Sequence, residues 1–469
     1  MSMDRPNKFE NPDAIPRLNS TLPGIVGPAI PDSPAAIALA LQYQLSETQW
    51  WPAEKILAMQ LRQLDELLRF AVQNTPFYRD WLMSAGYEPQ RPLSMSAWRQ
   101  LPLLDRRKIQ AHGDAIVSAN IPKAHYPLEK DSTSGSTGTP LRVTRTAAGR
   151  FFWEAFSLRD HIWHRRDFSL KQAAIRRDRQ GRANYPHGLG VPSWGGVASR
   201  VFKTGPAVML DIRASVSQQV EWLTRQAPAY LLTIPSNLAV ILLHCAEKGI
   251  SIAGLQEIRT FGEVLSPDLR EKCRKILGVP IVDAYSAVEL GYLALQCPES
   301  ENLHIQSEGA LVEVLDNDNR PCGPNTVGRV VVTPLHNFAM PLIRYANGDF
   351  AETGDACSCG RTLPVLRRIL GRTRNFVTYP SGEKGLAHFD PKQISKIEAI
   401  IQYQIIQRTL HLLEVKIVAR RALNEAEEQS LKNTVGKGVD YPFDINITYH
   451  ESIPRSAGGK FEDFMSEVT

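Results

Sequence analysis

From about residue 215 the chain alternates between strand-like and helix-like stretches, and this alternation restricts the fold more than any other feature. "VEWLTRQ" has helical spacing, and "AYLLTIP" reads as a buried strand. "SNLAVILLHCAEKG" reads as a helix, with Ser236 as candidate N-cap and Gly249 as its stop. "LQEIRTFGE" follows as strand, "SPDLREKCRKILG" as helix and "PIVDAY" as strand. Such alternation predicts a mainly parallel sheet with helical cover. Ligands of these sheets sit beyond the carboxyl ends of the strands. Here those ends are "FGEVLS" (261–266) and "AYSAVE" (284–289).

Further on, "GALVEVLD" and "GRVVVTPL" read as strands of a more antiparallel region that leads to "PLIRYANGD" (341–349). After "LGRTRN" (370–375) the character changes again. "LHLLEVKIVA" reads as strand, "NEAEEQSLKNTV" as helix and "FDINITYHE" as strand, enough for a small unit of its own. The expected architecture is α/β. A large N-terminal α/β domain with mainly parallel sheets and a β-rich subdomain spans 1–370, a hinge lies at 371–374, and a small mobile C-terminal α+β domain spans 375–469. Upstream, residues 1–33 read as an extended arm. Leu57, Leu61, Leu64 and Leu68 recur as the core stripe of a helix that stops at Pro76.

A chain of 469 residues has room for about two to four domains. A net charge of +5 does not point to a nucleic-acid or membrane-surface role. No apolar run approaches the roughly 20 residues that span a bilayer, and the polar first residues lack a secretory core segment. Six cysteines in so long a chain are no disulfide scaffold, so a cytoplasmic location is expected. The one basic cluster, "RRDRQGR" (176–182) with Arg165 and Arg166 before it, reads as a solvated surface. Its other reading is a docking patch for a phosphorylated ligand.

"DSTSGSTGTP" (131–140) is the most unusual stretch. Gly/Ser tracts can be flexible linkers. This one runs straight into the alternating "LRVTRT", which suggests a loop between strands that cradles phosphate. Gly135 and Gly138 would turn backbone N–H groups toward an anion, and the hydroxyls add donors. The common nucleotide P-loop needs a Lys after its second Gly. Thr139 and Pro140 stand there instead, so a neutralising Lys has to come from elsewhere in the chain.

The ordered set "NTPFYRDWL", "LPLLDRRKI", "STSGSTGTP", "PSNLAVI", "FGEVLS", "YSAVE", "LIRYANGD", "ILGR" and "IPRSAGGK" resembles the adenylate-forming superfamily of acyl-CoA synthetases, adenylation domains and luciferases. The likeness is closer to its phenylacetate–CoA ligase family, in the branch of capsule-biosynthesis type, and runs from about residue 55 almost to the end. The resemblance implies that Thr133, Ser134, Ser136, Thr137 and Thr139, with Gly135 and Gly138, hold the β- and γ-phosphates of ATP. It implies that Glu289 binds Mg²⁺ and that Tyr285, with Ser286 beside it, stacks on adenine opposite the backbone at Gly262 and Glu263. Asp349 would take both ribose hydroxyls, a two-acceptor task. Arg372 would reach the ribose from the hinge, and Lys460 would be the catalytic Lys that the loop lacks.

The chain departs from the family at Val288, where a hydroxyl usually precedes the Glu, and at Arg374 in the hinge, commonly acidic or Lys. It also lacks the usual glycine-centred loop after the hinge. A second constellation is Cys297, His304, Cys357 and Cys359. Three thiolates and one imidazole make a closed tetrahedral zinc set; the alternative is separate buried thiols and a surface His. Cys245 and Cys273 fall on expected helices, and Cys322 in a turn.

The activity implied is ATP-dependent adenylation of a carboxylic acid, with an aryl or arylacetic acid within its scope, then acyl transfer to a thiol, CoA first in line. The alternatives are transfer to an amine, a carrier protein or another acceptor, or a non-catalytic nucleotide-binding protein of the same fold. ATP, Mg²⁺, a structural Zn²⁺ and CoA are the expected cofactors. No nucleic-acid or membrane partner is expected, and the chain is expected as a monomer or homodimer. The acid pocket is expected to draw on residues 194–196 and 234–237.

Overall fold

A computed structural model describes residues 17–25, 27–132, 141–372, 376–387, 389, 391–394, 396–439, 441–454 and 463–468. The loop 133–140, positions 373–375 and Lys460 lie outside them, as does most of the expected N-terminal arm.

The alternation read from the sequence becomes five parallel strands. Ile281–Ala287, Glu257–Phe261, Tyr230–Thr233, Gln172–Arg176 and Ala207–Asp211 pair side by side in that order. The helices Val216–Gln226, Pro235–Lys248 and Pro267–Leu277 pack on them through Val220, Trp222, Leu238, Ile241, Leu269 and Cys273. Gly249 ends its helix at φ 62°, a conformation glycine adopts without Cβ strain. Ser236 is not the N-cap. Pro235 occupies the first helical position and Ile234 precedes it, so the start is set by the proline's fixed φ.

The expected β-rich, more antiparallel region is present and continues the same sheet. Gly291–Gln296 turns back on Ile281–Ala287 as its antiparallel neighbour, because residues 288–290 leave no room for a crossover helix. Leu303–Ile305, Val365–Arg372, Tyr345–Thr353, Val327–Pro334 and Ala310–Leu315 extend the same sheet antiparallel, and Leu189–Val191 beside Ala207–Asp211 at the other end brings it to twelve strands among the described residues. The helix Ala53–Asn74 packs its buried Leu64, Leu68 and Ala71 against this half, while Leu57 and Leu61 are only half-buried. Ile56, Gln60 and Leu67 take their places in the buried stripe.

The C-terminal strands form a four-stranded sheet in the order Asp444–Tyr449, Leu412–Ala419, Ile400–Gln407, Phe464–Ser466. The helix Glu425–Lys437 starts at a capping box between Asn424 and Glu427. This sheet has its own core, with Ile405, Leu413, Val415, Ile417, Leu431 and Val435. Among the described residues no helix is long and apolar enough to cross a membrane.

One basic residue is misplaced by the sequence reading. Arg166 is buried, with Nη1 2.8 Å from Asp160 Oδ2 and Nε 2.6 Å from Glu257 Oε1. Arg259 Nη2 meets the same Asp160 oxygen at 2.7 Å. Burial alone would raise the Asp160 pKa; Arg166 and Arg259 outweigh it and hold the carboxyl far below the ordinary range.

Candidate active site

At the carboxyl edge of the parallel strands, Phe261 pairs with Ala284, which sets Gly262 beside Tyr285. Gly262 has φ 77°, so the chain can turn sharply off the strand there. Glu263 then accepts from the Ser236 backbone N–H at 2.8 Å and the Ser236 hydroxyl at 3.0 Å. This tie fastens the strand end to the first turn of the helix Pro235–Lys248 and places residues 234–237 at the same edge.

Tyr285 is buried, and its hydroxyl donates to Asp349 Oδ2 at 2.6 Å. Asn347 Nδ2 donates to both, at 2.9 Å to the Tyr285 hydroxyl and 2.7 Å to Asp349 Oδ2. Burial, then the Asp349 charge, drives the Tyr285 pKa well up, so the phenol keeps its proton. Asp349 is the register partner of Arg372, with Arg372 Nε 3.4 Å from Asp349 Oδ1. Gly371 and Arg372 are therefore still strand. Ser286 is half-buried and pairs with Tyr292 across the strand, on the sheet face away from Tyr285.

Glu289 follows in the turn and is 6% exposed. Burial pushes its pKa up, against its own backbone N–H and the nearby charges of Arg372 and Arg106. Among the described residues no side chain bonds to it. A buried carboxylate so placed is a hard oxygen donor suited to a divalent cation.

The stem of the Ser/Thr/Gly loop is the antiparallel pair Leu128–Ser132 and Arg142–Thr146. Arg145, on the second strand, reaches Asp131 Oδ2 at 3.1 Å and the Val288 carbonyl at 3.4 Å. One guanidinium thus ties the loop stem to the residue before Glu289.

Of the expected ligand residues that are described, Gly262, Glu263, Tyr285, Ser286, Glu289, Asp349 and Arg372 meet at this one edge. The pocket expectation at 194–196 is corrected. Trp194 Nε1 donates to Leu170 O at 2.8 Å, and its ring meets Tyr230, so it packs at the amino ends of two strands, across the sheet from the ligand edge. The chain leaves Leu189–Val191 antiparallel to its neighbour, which carries residue 194 to that far side. Arg106, Asn347 and Arg145 were missed. Arg106 lies in the quoted "LPLLDRRKI", and nothing in that stretch shows that it approaches Glu289.

The cysteine–histidine set is brought together at the opposite edge, at the other end of Gly291–Gln296 from the Glu289 turn. The ligand atoms of Cys297, His304, Cys357 and Cys359 all lie within 4.8 Å of one another. Cys357 Sγ is 3.7 Å from Cys297 Sγ, and Cys359 Sγ is 3.3 Å from His304 Nε2. His304 Nδ1 lies 3.3 Å from the Leu363 carbonyl. A proton on Nδ1 leaves Nε2 as the lone pair facing the thiols, the arrangement usual for a metal-bound imidazole. Burial lowers the His304 pKa to about 4, which keeps the ring neutral. Burial would raise Cys357, but hydrogen bonds from the Cys359 backbone, Ser300 and Asn302 bring it to about 7, while burial takes Cys297 to about 11. Cys245 and Cys273 are buried on helices, as the sequence suggested.

Comparison with known proteins agrees along almost the whole chain. Residues 388–467 match the family model of the CapK C-terminal domain. A phenylacetate-coenzyme A ligase of Thermus thermophilus is 26% identical over 467 residues, covering 90% of this chain and 98% of that protein. One from Escherichia coli is 23% identical over 432 residues, covering 86% and 93%. A solved 2-hydroxyisobutyryl-CoA ligase in the postadenylation state aligns at TM-score 0.67 with 18% identity, covering 89% of this chain and 90% of that one. The same ligase in the thioesterification state aligns at 0.56 with 20% identity, covering 89% and 91%. The fold is that of the adenylate-forming enzymes. Within that class the chain is similar along most of its length to phenylacetate–CoA ligases, and its C-terminal residues match a domain of CapK type.

Proposed function

We propose that the protein is an AMP-forming ligase that activates an organic carboxylic acid with ATP and passes the acyl group to the thiol of CoA. The observation that carries this reading is the meeting of Glu289, Asp349, Tyr285 and Arg372 at one sheet edge, on a chain related over most of its length to phenylacetate–CoA ligases. An acid carboxylate oxygen attacks the α-phosphorus, the bond to pyrophosphate breaks, and an acyl-adenylate forms. The thiol sulfur then attacks the acyl carbon and AMP leaves.

Each residue has a task in this scheme. Asp349 accepts from the ribose hydroxyls, and Asn347 and Tyr285 fix its orientation. The backbone at Gly262 and Glu263, with Tyr285, lines the adenine. Ser286 faces the other side of the strand, toward Tyr292. Glu289 holds Mg²⁺, which supplies charge neutralisation as negative charge gathers in the transition state. Residues 133–139 bind the phosphates, Arg145 fixes their stem, and Lys460 delivers a cation from the small domain. The hinge 371–374, which begins at the end of the strand Val365–Arg372, is where the small domain of 375–469 turns between the two half-reactions.

Cys297, His304, Cys357 and Cys359 hold one structural zinc. Three sulfurs and one imidazole nitrogen would fill the four positions of a structural zinc and leave none for substrate. Its place across the sheet from Glu289 supports a stabilising role.

The test is pyrophosphate release over a panel of aryl, arylacetic and short aliphatic acids, followed by thioester formation on addition of CoA. Release that no acid stimulates would overturn the enzyme reading. Acid-dependent release without thioester would move the acceptor to an amine or a carrier protein.

A further inference from the structure

We propose that the loop 177–188 is the docking site for the 3′-phosphorylated nucleotide of CoA. The inference rests on the reading of CoA as acceptor and adds to it the residues that hold the end of CoA remote from the thiol.

The loop leaves the strand Gln172–Arg176 at its carboxyl end, the edge that carries Gly262 and Glu289. It is braced from within. The buried Asp178 accepts backbone N–H bonds from Gln180 at 2.9 Å, from Ala183 at 2.7 Å and from Arg182. Its own N–H donates to Asp211 Oδ2 at 3.0 Å, and Asp211 N–H donates to the Ala183 carbonyl at 2.7 Å. Ile212 N–H closes the base on the Arg176 carbonyl at 3.1 Å. Both carboxylates of this frame are buried, and Asp211 is further committed to Arg213.

What the braced loop presents to solvent is cationic. Arg176, Arg177, Arg179 and Arg182 are all exposed. Arg179 pairs with Asp131 at 3.3 Å, which sets the loop beside the stem of the phosphate-binding segment. The side chains of Arg176, Arg177 and Arg182 have no carboxylate partner among the described residues. Several unpaired guanidiniums close together cost stability through mutual repulsion, so packing does not account for them. Planar forks held on a rigid frame suit a phosphate dianion, which can take two parallel N–H bonds from each.

ATP uses the segment 133–139 for its own phosphates. A second phosphorylated group arriving at this edge is therefore the acceptor's. CoA carries a 3′-phosphate that dephospho-CoA and the phosphopantetheine of a carrier protein both lack, and that group is the one assigned here.

The test compares CoA with dephospho-CoA as acceptors for the full-length enzyme, each rate normalised to pyrophosphate release without thiol. For the wild type, KM for dephospho-CoA is expected to exceed that for CoA about tenfold, the size of one charge-assisted contact. Arg177→Ala with Arg182→Ala raises KM for CoA to the dephospho-CoA value and leaves the latter within about twofold. Arg62→Ala, exposed on the helix Ala53–Asn74 and away from the loop, moves neither. Thioester formed from both thiols at equal KM overturns this site alone. So does a loss in the variant that is equal for both. No thioester from either thiol overturns the acceptor reading, and this site with it.

Discussion

The Tyr285 hydroxyl donates to Asp349 Oδ2 at 2.6 Å, and Asn347 Nδ2 braces both groups. Asp349 thus has one oxygen already held by two donors, while Arg372 approaches the other. A carboxylate fixed on both sides would meet the ribose of the proposed scheme in one orientation. Removing its charge should cost more than removing one brace. Asp349→Asn is expected to raise KM for ATP about tenfold or more, because a charged acceptor is worth ~1.5–3 kcal/mol. Tyr285→Phe loses a neutral donor and should raise it about two- to fivefold. Initial rates of pyrophosphate release against ATP concentration give both values. A larger loss in Tyr285→Phe than in Asp349→Asn would remove Asp349 from the ribose.

Lys460 is proposed to act in the adenylation transition state. Lys460→Ala should then lower the rate of pyrophosphate release by about a hundredfold or more while ATP affinity stays within about threefold. Single-turnover release and equilibrium ATP binding separate the two quantities. A wild-type release rate would take the cation's role away from this position.

The zinc proposal has a readout independent of catalysis. Protein purified without chelator should contain one zinc per chain by elemental analysis. Cys357→Ser should lose it and melt lower by at least about 5 °C, the shift that ~2 kcal/mol produces in a large domain. The cluster lies at the far end of Gly291–Gln296 from Glu289, so ATP kinetics well below the melting point should change little. Metal-free protein with the wild-type melting temperature would leave four thiol and imidazole groups with no role for their closeness.

Much of this was legible in the sequence, for reasons that also show where legibility ends. Strand and helix periods, Gly249 and the order of the motifs are local signals, and the parallel half of the sheet follows from them. Ser236 looked like a cap because it starts an apolar-periodic run. Pro235 took the first position, and the hydroxyl went to Glu263, a partner 27 residues away. Arg166 looked solvated beside Arg165, but Asp160 and Glu257 close over it from other elements. Trp194 was placed near the ligand because a pattern of residues does not tell at which end of a sheet a long loop returns. Glu263 for Ser236 and Glu257 for Arg166 are remote in sequence, which a local pattern does not show.

Asp283 gives a pH prediction with a definite sign. It is buried on the strand that leads to Tyr285, accepts from Thr260 Oγ1 at 2.6 Å, and burial raises its pKa from 3.8 to about 6. The folded state therefore holds a proton that the unfolded state releases first. The stabilisation is complete below the unfolded pKa and is lost as pH rises through the folded one, between about pH 4 and 6. At ~1.4 kcal/mol per pKa unit, roughly 2–3 kcal/mol is involved. Denaturant melts at a series of pH values should show Asp283→Asn flattening the curve in that window relative to wild type. Parallel curves for the two proteins would mean that Asp283 is ionised in the fold throughout.

Arg145 offers the sharpest test of how the loop stem and the Glu289 turn are kept in register. Its guanidinium spans Asp131 on the loop stem and the Val288 carbonyl, one residue before Glu289. The hydroxyl that the family usually places at position 288 is absent, so at this residue the tie to the loop stem runs through the backbone. A Lys at 145 can keep the charge opposite Asp131 but cannot bridge two acceptors with one planar group. Arg145→Lys is expected to lower kcat for pyrophosphate release about tenfold, since misplacing reacting groups by a fraction of an ångström is costly. KM for the acid should stay within about twofold, because residues 234–237 are untouched. Asp131→Asn should be milder, and the double variant should be no worse than Arg145→Lys alone, as expected for two groups on one tie. Additive losses in that cycle, or an unaltered kcat in Arg145→Lys with an unaltered melting temperature, would make Arg145 a surface ion pair and leave the stem to be held by its strand pairing with 142–146.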